Sequence, residues 1–423
     1  MYKRNIKIWI LLLLFGFSVF LTLNRHSKSG VQNYHSEIWA DKAGYYIYLP
    51  SLFIYNFQAE KLPSNIDKKT GNGFSIDDDK IITKYTYGVA LMQSPFFIAG
   101  HLLSKLFGYQ DDGFSLIYHK AIDISAVVYA FFSFILLYLF LIRYVSKRTS
   151  LYALMCIYLG TNILYYSIFE TGMSHIYSFF LFTCYIYLAP FVIKQNQKII
   201  FYFLLGLIIG LIIIVRPINI LFLPVFFIFN TLKFTEIKNN ISKLTLVVIT
   251  SLIVIVPQLI YWKYAYDSYF HYTYGEEGFS NILDPKLLQL WFSTNNGLFV
   301  YNPLIILILI GVLFFYRVSP KKSIFIGIYF LFISFVFSSW HDWSYGCSYG
   351  CRPFAEYYSI FALPLCFFIN KSDKNIYLKS VLLLFLIIFI IYNLKLIFSY
   401  DGCWYGGTWD WPELLRLLLS PIK

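Results

Sequence analysis

The chain reads as long apolar runs separated by short polar clusters. Ile8 to Leu23, Phe201 to Val215, Leu244 to Tyr261, Leu298 to Tyr316 and Val381 to Ile391 are examples. With their flanks, each approaches the roughly 20 residues that cross about 30 Å of hydrocarbon. In lipid such a run has to be helical, because every backbone N–H and C=O must be satisfied within the segment. The pattern predicts an all-α polytopic membrane protein.

Val89 to Phe107 decides how the runs are threaded. It carries Gln93, Pro95, His101 and Lys105, which suit a lipid-facing helix poorly. If it does not cross, the run centred on Ser125 to Ile142 becomes the second span. The basic clusters Lys3/Arg4/Lys7, Arg143/Lys147/Arg148, Lys194/Lys198, Lys233/Lys238/Lys243, Arg317/Lys321/Lys322 and Lys371/Lys374/Lys379 then all fall on one side. By the positive-inside rule that side is the cytoplasm. The expectation is about eleven spans, the first at 8–24 and the rest starting near 118, 150, 172, 199, 217, 244, 298, 322, 354 and 376. The N-terminus is expected inside and the C-terminus outside, in a single integral membrane domain of the bacterial cytoplasmic membrane. Residues 25–117 form an extracytoplasmic loop, 118–398 the bundle and 399–423 an outer tail. Within the loop, Tyr45 to Phe57 and Val89 to Phe107 read as interfacial helices. In the tail Trp404, Trp409 and Trp411 read as an aromatic anchor.

Composition agrees: 58% of the 423 residues are hydrophobic, 22% aromatic and 13% charged, with mean hydropathy +0.62. A net charge of +12 raises nucleic acid as a partner, but the cations sit between apolar runs and topology accounts for them. The start resembles a signal peptide without a small-residue cleavage site, so it reads as an uncleaved span.

Chemistry-bearing residues collect at the outer helix ends. Trp39-Ala40-Asp41-Lys42 opens the first interfacial helix, with Glu37 just before it. Asp41 suits a general base, and equally a helix N-cap. Glu37 is the rival carboxylate. Lys42 is read as a solvated partner of Glu37 or a phosphate ligand. Arg216-Pro217 and Arg352-Pro353 supply guanidiniums near the outer boundary, where a lipid phosphate can be gripped bidentately or an arginine can simply snorkel. Arg352 ends a Gly/Tyr-rich turn from Tyr345 whose backbone can approach a ligand closely. Glu170 and His175 flank another outer turn. His341 and Asp342 lie ahead of Glu356, but lack the second histidine that a metal site would need. Asp77-Asp78-Asp79 reads as solvated, and His119 with Asp123 as a one-turn hydrogen bond. For Cys347, Cys351 and Cys403 a disulfide and free structural cysteines stay open.

In order along the chain, these features resemble the GT-C superfamily of polytopic glycosyltransferases. The resemblance is to the branch with protein O-mannosyltransferases and aminoarabinose transferases, and it covers most of the chain. Asp41 matches that family's catalytic acid, with Lys42 where many members carry a second acid. Lys84-Tyr85-Thr86-Tyr87-Gly88 looks like the family's lysine-bearing entry to the last interfacial helix, without its prolines. Lys120 stands where relatives have an arginine, and Tyr349-Gly350-Cys351-Arg352 resembles their glycine-x-arginine turn. The resemblance implies a GT-C-type bundle and an inverting glycosyltransferase. It would move a sugar from a polyprenyl-phosphate donor to an extracytoplasmic lipid, glycan or protein; no cofactor is expected, and Lys42 in place of a second acid leaves open whether a divalent metal is used. Asp41 would be the base, and Arg352, Arg216 and Lys84 the phosphate ligands. Lys42, Lys120, His341, Asp342, Glu37 and His175 would support them. A polysaccharide polymerase or ligase of similar fold, and a flippase for lipid-linked sugars, are the alternatives. The scarcity of mid-span charge weighs against transport.

Overall fold

The computed structural model describes residues 2–29, 33–192, 198–230, 240–373, 375–404 and 409–421. Among the basic positions used above, Lys194, Lys233, Lys238 and Lys374 lie outside them, as do the side chains of Lys3, Arg4 and Lys7. The described chain is mostly helical. Its first part comprises α1 (Tyr2–Ser29), α2 (Asp41–Tyr46), α3 (Tyr48–Phe53), α4 (Ile66–Thr70), α5 (Gly88–Phe107) and α6 (Leu116–Leu141). A small antiparallel pair, β1 (Ser75–Asp77) and β2 (Lys80–Ile82), lies between α4 and α5, with Ile76 opposite Ile81. Next come α7 (Lys147–Gly160), α8 (Ile163–Ile168), α9 (His175–Leu188), α10 (Ile199–Val215), α11 (Phe226–Phe229) and α12 (Ile241–Tyr266). The last part holds α13 (Leu287–Phe292), α14 (Leu298–Tyr301), α15 (Leu304–Tyr316), α16 (Pro320–Ser338), α17 (Tyr358–Ser372), α18 (Ile376–Ser399) and α19 (Trp411–Leu419).

Among the described residues four helices, α6, α12, α16 and α18, are long and apolar enough to cross a membrane. Shorter apolar helices, Leu12–Asn24, Ile199–Val215, Pro217–Phe229 and Leu304–Tyr316, accompany them. In the bundle α6 packs on α1, α5 and α9; α9 packs on α10, which packs on α12; and α17 joins α15, α7 and α9. Close approach of α10 and α12 depends on glycine. A Cβ at Gly210 would lie 2.7 Å from Val254 Cβ, while Ser251 Oγ donates to Gly206 O at 2.9 Å. Small residues that let helix backbones touch supply packing where lipid offers no hydrophobic gain.

Several expected runs are interrupted where the sequence breaks a helix. Pro217 disfavours the helical basin for Arg216, which is extended (φ −155°, ψ 122°) and ends α10. The chain continues from Pro217 to Val225 as a 3₁₀ helix rather than an α-helix. The stretch expected from 150 divides into α7 and α8, and that from 298 into α14 and α15. The stretch from 354 begins as a 3₁₀ turn, Arg352–Tyr357.

The expected interfacial helix over Tyr45 to Phe57 is instead two six-residue helices, α2 and α3, starting at Asp41. They are packed inside protein: Tyr46, Ile47 and Leu49 share a second core with Phe97 of α5, Tyr118 of α6 and Tyr261 of α12. That core makes the segment before α6 a structured cap on the bundle. The aromatic anchor of the tail also differs. Trp404 is buried and stacks on Trp409 at 4.5 Å. The Trp409 indole N–H donates to Tyr301 Oη at 2.8 Å, and only Trp411 of the three is exposed. Asp77, Asp78 and Asp79 lie exposed at the β1–β2 tip.

A candidate active site between the cap and the bundle

The start of α2 faces the turn that precedes α17. Asp41 is the first residue of α2, and the preceding Ala40 has positive φ (49°) and sits at the N-cap position with no side-chain cap bond. The N-cap reading of Asp41 is therefore corrected: a residue already inside the helix cannot cap it, and its carboxylate is left for the cavity. The facing turn is shaped by left-handed backbone at Tyr345, Gly346 and Gly350. Asn296 holds it, donating from Nδ2 to Ser344 O at 2.9 Å and Gly346 O at 2.8 Å, and accepting from the Gly350 N–H at 3.1 Å. That frame delivers Arg352, whose Nη1 lies 3.7 Å from Asp41 Oδ2. The distance is an ion pair without a hydrogen bond. Burial works against the charge of Arg352, but the nearby Asp41 carboxylate and Tyr166 favour it and the net direction is up.

Both residues line an open cavity of about 580 Å³, with Lys42, Lys84, His341 and Asp342 also on its wall. Lys84 arrives because Gly88, at the start of α5, lies against the backbone of Ile214 and Val215 of α10, where a Cβ would collide. Its Nζ donates to Glu277 Oε1 at 2.8 Å and lies 5.6 and 5.4 Å from the rings of Tyr85 and Tyr274. Burial first and the Asp41 carboxylate second raise the Tyr85 hydroxyl well above its ordinary pKa, so it stays protonated beside Asp41. Trp39, Trp340 and Tyr345 add aromatic surface.

The other expected residues take different places. Arg216 lies behind the wall, where Nη1 donates to Glu356 Oε1 at 2.7 Å. His175 Nδ1 faces the same carboxylate at 3.2 Å, and Glu356 is fully buried. Glu37 is buried against His119, Oε2 to Nδ1 at 2.6 Å, and is not on the cavity wall. Lys42 is not a solvated partner of Glu37. It is buried and pairs with Glu170 Oε2 at 3.0 Å, because α2 packs on the 170–174 turn. Asp123 does not bond His119 but accepts from Thr171 Oγ1 at 2.8 Å. Lys120 is half-buried on α6 and does not line the cavity. Cys347 is bonded to Cys403, and Cys351 is free and buried. Among the described residues no group of three or more His, Cys, Asp or Glu is arranged to hold a metal.

Sequence reasoning gave no role to Glu277 or Asn296 and weighed Glu356 only as a metal ligand beside His341 and Asp342. Each acts through a partner far along the chain, at 84, at 344–350 and at 216, and single-sequence spacing carries no trace of that. Comparison with known protein families, curated proteins and solved structures found no match to the chain.

Proposed function

We propose that this protein is an inverting membrane glycosyltransferase of the GT-C type, transferring a sugar from a polyprenyl-phosphate donor at the outer face. The observation that carries the reading is the Asp41–Arg352 pair at 3.7 Å on the wall of a cavity that also holds Lys84. The acceptor hydroxyl oxygen attacks the anomeric carbon, the carbon–oxygen bond to phosphate breaks with its electron pair going to the phosphate, and the hydroxyl proton passes to Asp41. Charge grows on the phosphate as that bond breaks, so the Arg352 fork and the Lys84 ammonium stabilise the transition state more than the ground state. Arg216 is reassigned in this reading. Its guanidinium is committed to Glu356, so it shapes the wall rather than gripping donor.

The bundle would complete about eleven crossings by adding the shorter and interrupted helices to the four long ones, with the N-terminus inside. The Cys347–Cys403 bond on the cavity rim supports an outward-facing site, since disulfides persist in oxidising compartments. The test is transfer by the purified protein in nanodiscs from a panel of polyprenyl-phosphate monosaccharides, read as release of polyprenyl phosphate. No release from any donor, with the protein folded, would sink the reading. A flippase is the second reading, favoured by the α7–α8 and α14–α15 breaks that meet where the Asn162 N–H donates to Asn302 Oδ1 at 2.7 Å. It predicts movement of a lipid-linked sugar across vesicles with the glycosidic bond intact.

A further inference from the structure

The side-chain contacts along the cavity wall fall into two groups, or lobes, one around Lys84 and one around Lys42, with the Asp41–Arg352 pair on the same wall. In the first, Lys84 pairs with Glu277 and sits over Tyr274, whose ring meets Trp340 edge-on at 6.1 Å. The wall continues to His341, whose N–H donates to Gly278 O at 2.8 Å. In the second, Lys42 Nζ donates to Tyr34 O at 3.3 Å and pairs with Glu170 at 3.0 Å. There the Tyr34 hydroxyl donates to Asp401 O at 3.1 Å, and the Cys347–Cys403 bond fixes the tail as a wall. Arg352 interacts electrostatically with Tyr85 from the first side and Tyr166 from the second.

We propose that the second lobe is the acceptor subsite and that it takes an uncharged polyhydroxylated group, the terminal sugar of a glycan or of a glycolipid. The assignment rests on the glycosyltransferase reading for the word acceptor, and on the lobe itself for the ligand class. Transfer requires two substrates to meet at the base, and the base shares a wall with both lobes. The first lobe offers an accessible ammonium, which suits phosphate. The second does not. Its lining cation, Lys42, is 5% exposed and already held by a carboxylate and a carbonyl. An anion entering there would meet Glu170 and, among the described residues, gain no cation beyond Arg352, which the donor phosphate engages in this reading. What remains on that wall is the Glu170 carboxylate, 20% exposed, and the Tyr34 ring, 55% exposed. A carboxylate accepts hydrogen bonds from paired hydroxyls, and an aromatic face covers the C–H face of a pyranose. The covalently fixed tail walls the lobe at Gly402 and Cys403, which favours a chain end over the surface of a folded protein.

The test uses the full chain in nanodiscs, with methyl hexopyranosides and pentopyranosides as sugar probes and farnesyl phosphate as the phosphate probe. Binding is read from the fluorescence of the cavity tryptophans. Tyr34→Ala, at an exposed position, and Glu170→Gln are each expected to weaken glycoside binding about tenfold, the size of one charge-assisted hydrogen bond or one lost contact face. Neither should change farnesyl phosphate binding. Lys84→Ala should do the reverse. Tyr34→Ala guards against misreading Glu170→Gln, which leaves the Lys42 charge buried without its carboxylate. Glycoside binding that survives Tyr34→Ala in a folded protein, or that is lost with Lys84→Ala, overturns the assignment. So does binding of a serine/threonine peptide in place of every glycoside. If farnesyl phosphate fails to bind while Tyr34→Ala still removes glycoside binding, the sugar lobe stands and the donor reading falls. Octyl glycosides binding better than methyl glycosides indicate a lipid-borne acceptor, and equal binding indicates a glycan end; both support the subsite.

Discussion

Arg352–Asp41 and Lys84–Glu277 line an open cavity, whereas Arg216–Glu356–His175 and Glu37–His119 are built on carboxylates and histidines buried off its wall, with Arg216 itself 18% exposed. Both sets pair carboxylates with cations or histidines. The outer pairs are long or half-exposed, so solvent screens them and a ligand can replace either member at small cost. In the inner pairs Glu356 and Glu37 are buried, and removing one partner strands the other in a poorly solvated site. Arg216, His175 and Glu37, three residues expected at the site, thus lie in the layer behind the cavity wall rather than on it.

The largest effect should come from Asp41→Asn. Removing a general base lowers rate by about 10² to 10⁴. Stability should hardly change, because Asp41 makes no cap bond and lies on the cavity wall. Initial rates of sugar transfer and the amount of folded protein in membranes measure the two halves of the claim. Full activity would remove Asp41 from the chemistry. Glu37, buried against His119, would not be the natural replacement.

Glu356→Ala tests the inner layer. Breaking a buried pair costs about 3–5 kcal/mol, so the variant should be scarce in membranes and should aggregate at lower temperature in detergent. A well-folded Glu356→Ala protein with altered donor affinity would instead move Arg216 into the donor site and erase the contrast between the layers.

Arg352→Lys should fall between these and the smallest change. Lysine keeps the charge and loses the planar fork, so donor use should drop about tenfold to a hundredfold, the worth of a hydrogen bond to a charged group. Transfer rates at saturating and limiting donor separate this from a folding defect. Unchanged rates would make Arg352 an interfacial charge only.

The sequence shows these layers unevenly. Long apolar runs announce helices because lipid permits little else, and α6, α12, α16 and α18 fall inside runs visible by eye. Breaks at Pro217 and Pro353 are legible from proline chemistry. The two buried six-residue helices after Asp41 were not, because an aromatic, apolar stretch reads alike whether it faces lipid or a second core. Asp41, Lys42, Lys84, His341, Asp342 and Arg352 could be gathered from their order along the face expected to lie outside, and they share one cavity. The difference between Arg352 and Arg216 could not be gathered that way. Both precede a proline at a helix end, and only the buried carboxylate of Glu356, 140 residues from Arg216, separates them.

Glu277→Gln should give the smallest effect, and with the opposite sign. In the free protein the Glu277 carboxylate occupies Lys84, with 38% and 35% of the two side chains exposed. A donor phosphate that uses Lys84 must therefore displace a carboxylate first, and affinity is reduced by whatever that pair is worth. Half-exposed pairs contribute roughly 0.2–1 kcal/mol, so neutralising Glu277 should tighten phosphate binding by up to about fivefold. Glutamine keeps the length and can still accept from Nζ, and the loop remains tied by Thr273 Oγ1 donating to Lys84 O at 2.6 Å. Tighter farnesyl phosphate binding in Glu277→Gln, abolished when Lys84→Ala is added, would mark the outer pair as exchangeable. Weaker binding would mean that Glu277 holds Lys84 in its working position, and Lys84–Glu277 would then belong with the structural pairs beneath the cavity.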